Sequence, residues 1–197
     1  MRMYRLALLA LLIPSTAMAL AIGDTAPMKD TKLHNVDGKD ITIAEIAGKQ
    51  GTLVIFTCNH CPFARAWESR IVALGNLVRS KGIGVVAINS NDPKVASDDG
   101  FEQMQQRAKE KDYEFAYAVD DTSNVARAFG ATRTPEAFLF DASGKLVYHG
   151  AIDDNSEDAA AVQEHYLAAA VDSMLSGKPV TLAETKALGC SIKFYGS

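Results

Sequence analysis

The chain has few cysteines, no dense basic cluster and no internal repeat, and each absence excludes a class of protein. Three cysteines in 197 residues are too few for a small domain held together by several disulfides. No stretch concentrates Lys and Arg as a nucleic-acid-binding surface does, so no nucleic-acid partner is expected. Hydrophobic residues make up 48% and charged residues 22% of the chain, which is typical of a folded protein. The length predicts a single globular domain.

The first nineteen residues have the pattern of a secretory signal peptide. Arg2 and Arg5 precede an unbroken apolar run from Leu6 to Ile13, and small residues then lead to Ala17-Met18-Ala19, an A-x-A-type cleavage site. A transmembrane helix needs about 20 apolar residues, more than this run supplies. We therefore predict a signal peptide at residues 1–19 and one domain at 20–197, exported and, in a Gram-negative bacterium, periplasmic. An uncleaved anchor is the alternative.

The remaining sequence alternates between strand and helix patterns. Short β-branched apolar runs predict buried strands, and apolar residues at spacings of three and four predict helices. In chain order we predict a hairpin at 31–42, a strand at 52–57, a helix from 62 to about 80, a strand at 83–89, a helix at 101–111, a strand at 115–119, a helix at 122–129, paired strands at 137–140 and 146–151, a helix at 159–175 and a strand-like piece at 192–195. This order predicts an α/β fold with a mixed central sheet flanked by helices, an N-terminal hairpin and a strand/helix insert.

Cys58-Asn59-His60-Cys61 lies directly between a predicted strand and a predicted helix. The two-residue spacer brings both sulfurs within disulfide range on one helical turn. Free N–H groups and the helix dipole favour a thiolate at such a position, and a thiolate is the nucleophile of disulfide exchange. A protonated His60 would lower the pKa of Cys58 further. The pattern therefore predicts a redox-active disulfide between Cys58 and Cys61.

Two other interpretations of the motif remain open. A structural zinc site needs four ligands, and Cys190 is the one further cysteine that the sequence offers, so we predict no metal site. An inert structural disulfide at the strand–helix junction is the second alternative.

The chain resembles the thioredoxin superfamily, and in particular bacterial exported redoxin-domain proteins of its thiol-disulfide oxidoreductase and peroxiredoxin-like branch. The resemblance covers nearly all of the chain after residue 19 and implies a thioredoxin-like fold. It rests on five segments: Cys58-Asn59-His60-Cys61-Pro62, Val125-Ala126-Arg127-Ala128-Phe129-Gly130, Thr134-Pro135-Glu136, Gly150-Ala151-Ile152-Asp153-Asp154 and Gly189-Cys190-Ser191-Ile192-Lys193.

The resemblance assigns roles to four residues. Cys58 is similar to the exposed attacking cysteine of the family, and Cys61 to the resolving cysteine that releases a mixed disulfide. Thr134 and Pro135 are similar to a cis-proline loop whose exposed backbone pairs with a substrate peptide as an added strand. The implied activity is that of a thiol-disulfide oxidoreductase, a monomer without a cofactor, acting on protein thiols or disulfides and on a redox partner protein.

Two positions depart from the thioredoxin pattern. Thr57 stands where thioredoxins have tryptophan before the first cysteine, and Thr52 replaces their buried acid, so no general base is assigned. The position of His60, just before the second cysteine, is similar to that of a histidine in oxidising periplasmic enzymes. From this likeness we predict that the pKa of Cys58 is depressed, with His60 as the tuning residue; the direction of electron flow is left open.

The same residues suggest two other functions. Cysteine peroxidases need P-x-x-x-T-x-x-C, and here Gly51 and Ile55 occupy the proline and threonine positions, which argues against a peroxiredoxin-type antioxidant. A copper-binding or metallochaperone protein would use the two thiolates and His60, although copper-delivery relatives space their cysteines one residue further apart.

Cys190 is the odd cysteine of the chain. It is a third redox thiol, one half of an intermolecular disulfide or a small buried hydrophobe. The last is the simplest interpretation of the sequence.

Overall fold

The computed structural model describes residues 20–196, so the predicted signal peptide at 1–19 lies outside the described residues. The strands are β1 Leu33–Asn35, β2 Asp40–Ile41, β3 Gly51–Phe56, β4 Ile83–Asn89, β5 Ala116–Val119, β6 Arg133–Thr134, β7 Glu136–Asp141, β8 Leu146–Gly150 and β9 Cys190–Ser191. The helices are α1 Ile43–Ile46, α2 Pro62–Ser80, α3 Phe101–Glu110, α4 Asn124–Phe129 and α5 Tyr166–Leu175, with 3₁₀ turns at Ser97–Asp99 and Ala159–Ala161. Among these helices none is long and apolar enough to span a bilayer.

The strands form a mixed central sheet, as predicted. Its hydrogen-bonded sets are β2-β1-β5-β4 and β3-β7-β8. β4 and β5 pair in parallel, and the other pairs in these sets are antiparallel. β3 and β4 lie side by side, and just beyond β3 the N–H of Thr57 donates to the carbonyl of Ile88 at 2.9 Å. The predicted N-terminal hairpin, β1-β2, lies at one edge of the sheet.

The alternation of side chains along β3 explains why every residue of that strand is buried. Leu53 and Ile55 belong to an apolar cluster with Trp67 of α2. Val54 and Phe56 belong to a second cluster with Phe129 of α4. Because successive side chains of a strand point to opposite faces, the sheet has an apolar core on both sides. The end of β3, where the cysteine motif begins, is therefore held rigidly.

The predicted helix at 159–175 is wrong in its first half. Ala159–Ala161 is a 3₁₀ turn, the chain is extended at Val162, and α5 begins only at Tyr166. The N–H of Leu167 donates to the carbonyl of Ile152 at 3.1 Å, which ties the start of α5 to the loop after β8. A tertiary contact thus overrides the local helical pattern.

The loop after β8 also holds α2 in place. Asp153 is buried, and one of its carboxylate oxygens accepts the indole N–H of Trp67 at 2.6 Å, while the other pairs with Arg70. Trp67 is 1% exposed, so it is part of the core. Asp153 lies in the loop after β8 and, through this contact, fixes α2 to that loop.

Candidate active site

The cysteine motif connects the end of β3 to the start of α2. Cys61 is the N-cap of α2, and Pro62 is the first helical residue, where its missing N–H costs nothing. The helix N-terminus expected at Cys58 is thus occupied by Cys61, and Cys58 lies in the loop before it. The backbone N–H of Cys61 points back at Cys58 Sγ, 3.4 Å away.

Both sulfurs lie against the loop that contains Thr134. Cys58 Sγ is 3.3 Å from Thr134 Oγ1, and Cys61 Sγ is 3.1 Å from the carbonyl oxygen of Thr134, to which it donates when protonated. The Thr134–Pro135 bond is cis, as predicted. The expectation that Cys58 is exposed is wrong, because Cys58 is 5% and Cys61 1% exposed.

A buried carboxylate from the insert, Asp99, holds the loop between the cysteines. Its Oδ1 accepts the backbone N–H groups of Asn59 at 2.6 Å and His60 at 3.1 Å. Its Oδ2 accepts the side-chain amide of Asn91 at 2.8 Å. Sequence reasoning misses Asp99, since it lies 40 residues from Asn59 and its one visible signal is an acid pair, Asp98-Asp99, in a polar stretch.

The two spacer residues have different surroundings. Asn59 is buried, donates to the carbonyl of Asp98 at 2.9 Å and accepts from Tyr117 Oη at 3.0 Å. The side chain of His60 is exposed, and its imidazole is not among the principal causes of either cysteine's pKa shift. The pKa-tuning role predicted for His60 therefore has no support in the geometry; its contribution is the backbone N–H given to Asp99.

The two thiols share a hydrogen bond that separates their pKa values. This bond, from the Cys58 thiol, is the largest cause that lowers the pKa of Cys61 to about 4; the Cys190 thiol and the N–H groups of Ala64 and Cys190 lower it further. The same bond is the largest cause that raises the pKa of Cys58, followed by burial and by the Asp99 carboxylate. The depressed pKa predicted for Cys58 is therefore wrong. The lowered pKa belongs instead to Cys61, at the N-terminus of α2.

We expect the reduced protein to carry one thiolate at neutral pH, on Cys61. Because the pKa of Cys61 is lowered, this thiolate persists as the pH falls through the ordinary thiol value of about 8.5 and is lost only near pH 4. Ultraviolet absorbance of the thiolate, followed from pH 9 downward, measures it. The signal below pH 7 should disappear in C61S and remain in C190S. Its survival in C61S would place the thiolate on another sulfur.

The C-terminal segment covers the loop of Thr134 and Pro135. β9 pairs antiparallel with β6, with Cys190 opposite Thr134 and Ser191 opposite Arg133. The strand lies two residues earlier than the predicted piece at 192–195, because Ile192 turns into the core instead and is 5% exposed. The backbone at Thr134, which the resemblance assigns to a substrate strand, is thus already paired with this chain's own segment.

Gly189 allows the segment to lie this close. A Cβ atom on Gly189 would fall 2.2 Å from the carbonyl oxygen of Thr134 and 3.3 Å from the nitrogen of Pro135. Both neighbours are backbone atoms, which cannot rotate away as a side chain does. Contact between the segment and the cis-proline loop therefore requires glycine at this position.

Cys190 contacts the reactive pair. Its backbone N–H donates to Cys61 Sγ at 3.4 Å, and its side chain packs against the buried cluster that contains Cys58 and Cys61. The side chain is partly exposed. All three cysteines of the chain thus meet at one place.

Glu136 supports the cis-proline loop from behind. Its Oε2 accepts the N–H groups of Thr132 at 2.8 Å and Arg133 at 2.9 Å, and its Oε1 pairs with His149 Nε2 at 2.7 Å. His149 therefore has a carboxylate partner within the domain. Within residues 20–196 no group of three or more His, Cys, Asp or Glu is arranged to hold a metal ion.

A family model matches this architecture over residues 22–149, about two thirds of the chain: the AhpC/TSA family. The chain belongs to the AhpC/TSA family. The match runs through the cysteine motif, the insert and the cis-proline loop, and ends before the C-terminal segment that carries Cys190.

Several proteins of known sequence or structure are similar to this AhpC/TSA chain. The thiol-disulfide oxidoreductase ResA of Bacillus thuringiensis subsp. konkukian is 23% identical over 65% of this chain and 68% of its own. An uncharacterized conserved protein from Geobacillus kaustophilus is 37% identical, with a TM-score of 0.84, over 90% of this chain and 94% of its own. The thioredoxin domain of a thiol-disulfide oxidoreductase from Bacteroides vulgatus, 19% identical, matches 66% of this chain and 89% of its own with a TM-score of 0.54. The fold is thioredoxin-like, as predicted.

Proposed function

We propose that this protein is an exported thiol-disulfide oxidoreductase that uses Cys58 and Cys61 as its dithiol/disulfide pair. The observation that carries the proposal is the contact of both sulfurs with each other and with Thr134 beside a cis-proline, at the N-terminus of α2. The ResA relatives, thiol-disulfide oxidoreductases by name, support the same activity.

Transfer of a proton from Cys58 to Cys61 makes Cys58 a nucleophile. When the Cys58 sulfur attacks a substrate disulfide, its proton passes along the shared hydrogen bond to the Cys61 thiolate. A bond forms between Cys58 and one substrate sulfur, and the other substrate sulfur leaves as a thiolate with the bonding electron pair. Cys61 thereby acts as the base that the sequence did not supply.

Cys61 then resolves the mixed disulfide. Its sulfur attacks Cys58 Sγ, the Cys58–Cys61 disulfide forms, and the substrate sulfur departs with the proton of the Cys61 thiol. The same steps run in reverse oxidise a substrate dithiol. The redox partner and the compartment decide which direction dominates.

Substrate binding at Thr134 and Pro135 requires the C-terminal segment to move. A substrate peptide that adds a strand to the backbone at Thr134 competes with Cys190 and Ser191 for the same hydrogen bonds. We therefore propose that β9 leaves β6 when a protein substrate binds. Protein thiols or disulfides and a redox partner protein are the proposed partners of a monomer that needs no cofactor.

The N-terminal pattern supports the proposed location. A signal peptide at residues 1–19 would deliver the domain to an extracytoplasmic compartment, the periplasm in a Gram-negative source, where disulfides persist.

Trapping of a mixed disulfide tests the activity. In the variant C61S/C190S, the Cys58 sulfur keeps its place but has no thiol to release a bound substrate, so disulfide-linked adducts should accumulate at Cys58 when oxidised insulin chains are added. The wild-type protein should catalyse insulin reduction by dithiothreitol, and C58S should lose about 100-fold or more of this rate. The cysteine-free triple variant is the control for adducts. Wild-type activity equal to that of C58S, with no adduct at Cys58, would contradict the proposal.

A further inference from the structure

The segment that carries Cys190 is fixed to the domain at several points. The N–H of Ile192 donates to the carbonyl of Thr132 at 3.0 Å, the N–H of Lys193 to Asn91 Oδ1 at 2.7 Å and the N–H of Tyr195 to Ser123 Oγ at 2.9 Å. Asn91 also binds Asp99, the residue that holds the loop between the cysteines. Cys190 is therefore held in a defined position relative to the reactive pair.

Cys61 lies between two thiols. Cys58 belongs to the same buried cluster, and Cys190 packs against that cluster and donates its backbone N–H to Cys61 Sγ at 3.4 Å. A sulfur packed against a neighbouring cysteine needs little movement to form a bond with its sulfur. Either neighbour is thus placed to form a disulfide with Cys61.

We propose that Cys190 is a third catalytic thiol, which exchanges with the Cys58–Cys61 disulfide to form a Cys61–Cys190 disulfide. This inference rests on the proposed function. The Cys190 thiolate attacks Cys61 Sγ, the Cys61–Cys190 bond forms as the Cys58–Cys61 bond breaks, and Cys58 leaves with the electron pair and takes up the proton that Cys190 lost. One disulfide is exchanged for another, so no further oxidant or reductant is consumed.

The exchange has a structural consequence for substrate access. In the Cys61–Cys190 form, the segment from Gly189 onward is bound covalently beside Thr134, so the backbone of Thr134 stays occupied by β9. Cys58 is then a free thiol beneath a closed substrate face. In the Cys58–Cys61 form, the segment is held by hydrogen bonds and packing alone, so it can leave without breaking a covalent bond.

Burial is the largest cause that raises the pKa of Cys190, and the positive charges of Lys193 and Arg133 lower it. A raised pKa leaves few Cys190 thiolates at neutral pH, so the exchange is slow there and accelerates as the pH rises. This pH dependence belongs to Cys190 as the attacking group and is lost without it.

The variant C58S tests the exchange directly, with oxidised glutathione as the disulfide oxidant. Cys61 first forms a mixed disulfide with glutathione, and Cys190 then displaces the glutathione, so peptide mapping after an acid quench should show a Cys61–Cys190 cross-link in most chains. In the matched control C58S/C190S, the glutathione adduct on Cys61 should persist. Persistence of that adduct in C58S, with Cys190 still free, would overturn the proposal.

The disulfides that form in the wild-type chain distinguish a failure of this inference from a failure of the proposed function. If oxidised wild type forms no disulfide between Cys58 and Cys61, the proposed function fails. If it forms that disulfide but C58S forms no cross-link to Cys190, the third-thiol proposal fails alone. If C58S does not fold, the Cys61–Cys190 cross-link is measured in C58A and in the wild type instead. A Cys61–Cys190 peptide must form in oxidised wild type, and it must form faster at higher pH; its absence would again overturn the proposal.

Discussion

Alanine in place of Gly189 should make Cys58 and Cys61 react with a thiol reagent roughly 5- to 150-fold faster than in the wild-type protein. The added Cβ would lie 2.2 Å from the carbonyl oxygen of Thr134, so the C-terminal segment must move off the cis-proline loop. Overpacking of this kind costs about 1–3 kcal/mol. Since a tenfold change in an equilibrium corresponds to about 1.4 kcal/mol, this cost shifts the segment toward its open position by the stated factor.

Alkylation of the reduced protein, read at each cysteine by mass spectrometry, measures this effect. The matched control is S191A, which lies on the same strand, has an exposed side chain and adds no atom toward the loop. Its rates should stay close to those of wild type. If G189A folds normally and its alkylation rates also match those of wild type, the segment does not control access to the pair.

Removal of the Asp99 carboxylate should destabilise the domain by about 3 kcal/mol. In D99A the backbone N–H groups of Asn59 and His60 and the amide of Asn91 lose their acceptor in a place where Asp99 itself is 3% exposed. A buried donor without a partner costs about 1–3 kcal/mol. Denaturant unfolding of D99A against wild type measures the loss.

The variant D99N separates the charge of Asp99 from its hydrogen bonds. Asparagine keeps an oxygen for the two backbone N–H groups, so D99N should be more stable than D99A. It removes the negative charge that raises the pKa of Cys58, so the second thiolate of the pair should appear at a lower pH than in wild type. D98A is the control, because the side chain of Asp98 is exposed and only its backbone carbonyl binds Asn59. A D99A protein as stable as D98A would show that Asp99 does not hold the loop.

Features that depend on neighbouring residues could be predicted. The buried strand before Cys58 and the helix that starts at Pro62 follow from short patterns, because buried residues repeat every two positions in a strand and every three to four positions on one face of a helix. The cis bond before Pro135 is predicted from the resemblance of Thr134-Pro135 to the cis-proline loop of the thioredoxin superfamily. Where a local pattern competed with a distant contact, the prediction failed. The first half of the 159–175 helix is the example, since Gln163 and Glu164 are hydrogen-bonded to Asp154 in the loop after β8 instead.

The arrangement around the sulfurs could not be predicted in the same way. Asp99 is 40 residues from Asn59 in the sequence, and Cys190 is 129 residues from Cys61. Contacts between residues so far apart produce no repeating pattern in the sequence. The pKa values follow from these contacts. The sequence places Cys58 and Cys61 on one turn, but burial, a carboxylate and a shared proton decide which sulfur ionises first.

By itself, the sequence determined the pair of thiols and the strand and helix that carry them, because each is a matter of residues close together in the chain. Only the tertiary structure decided what the pair touches. Folding places the C-terminal strand on the loop of Thr134 and a third thiol on Cys61, because these contacts depend on how separate elements pack against one sheet.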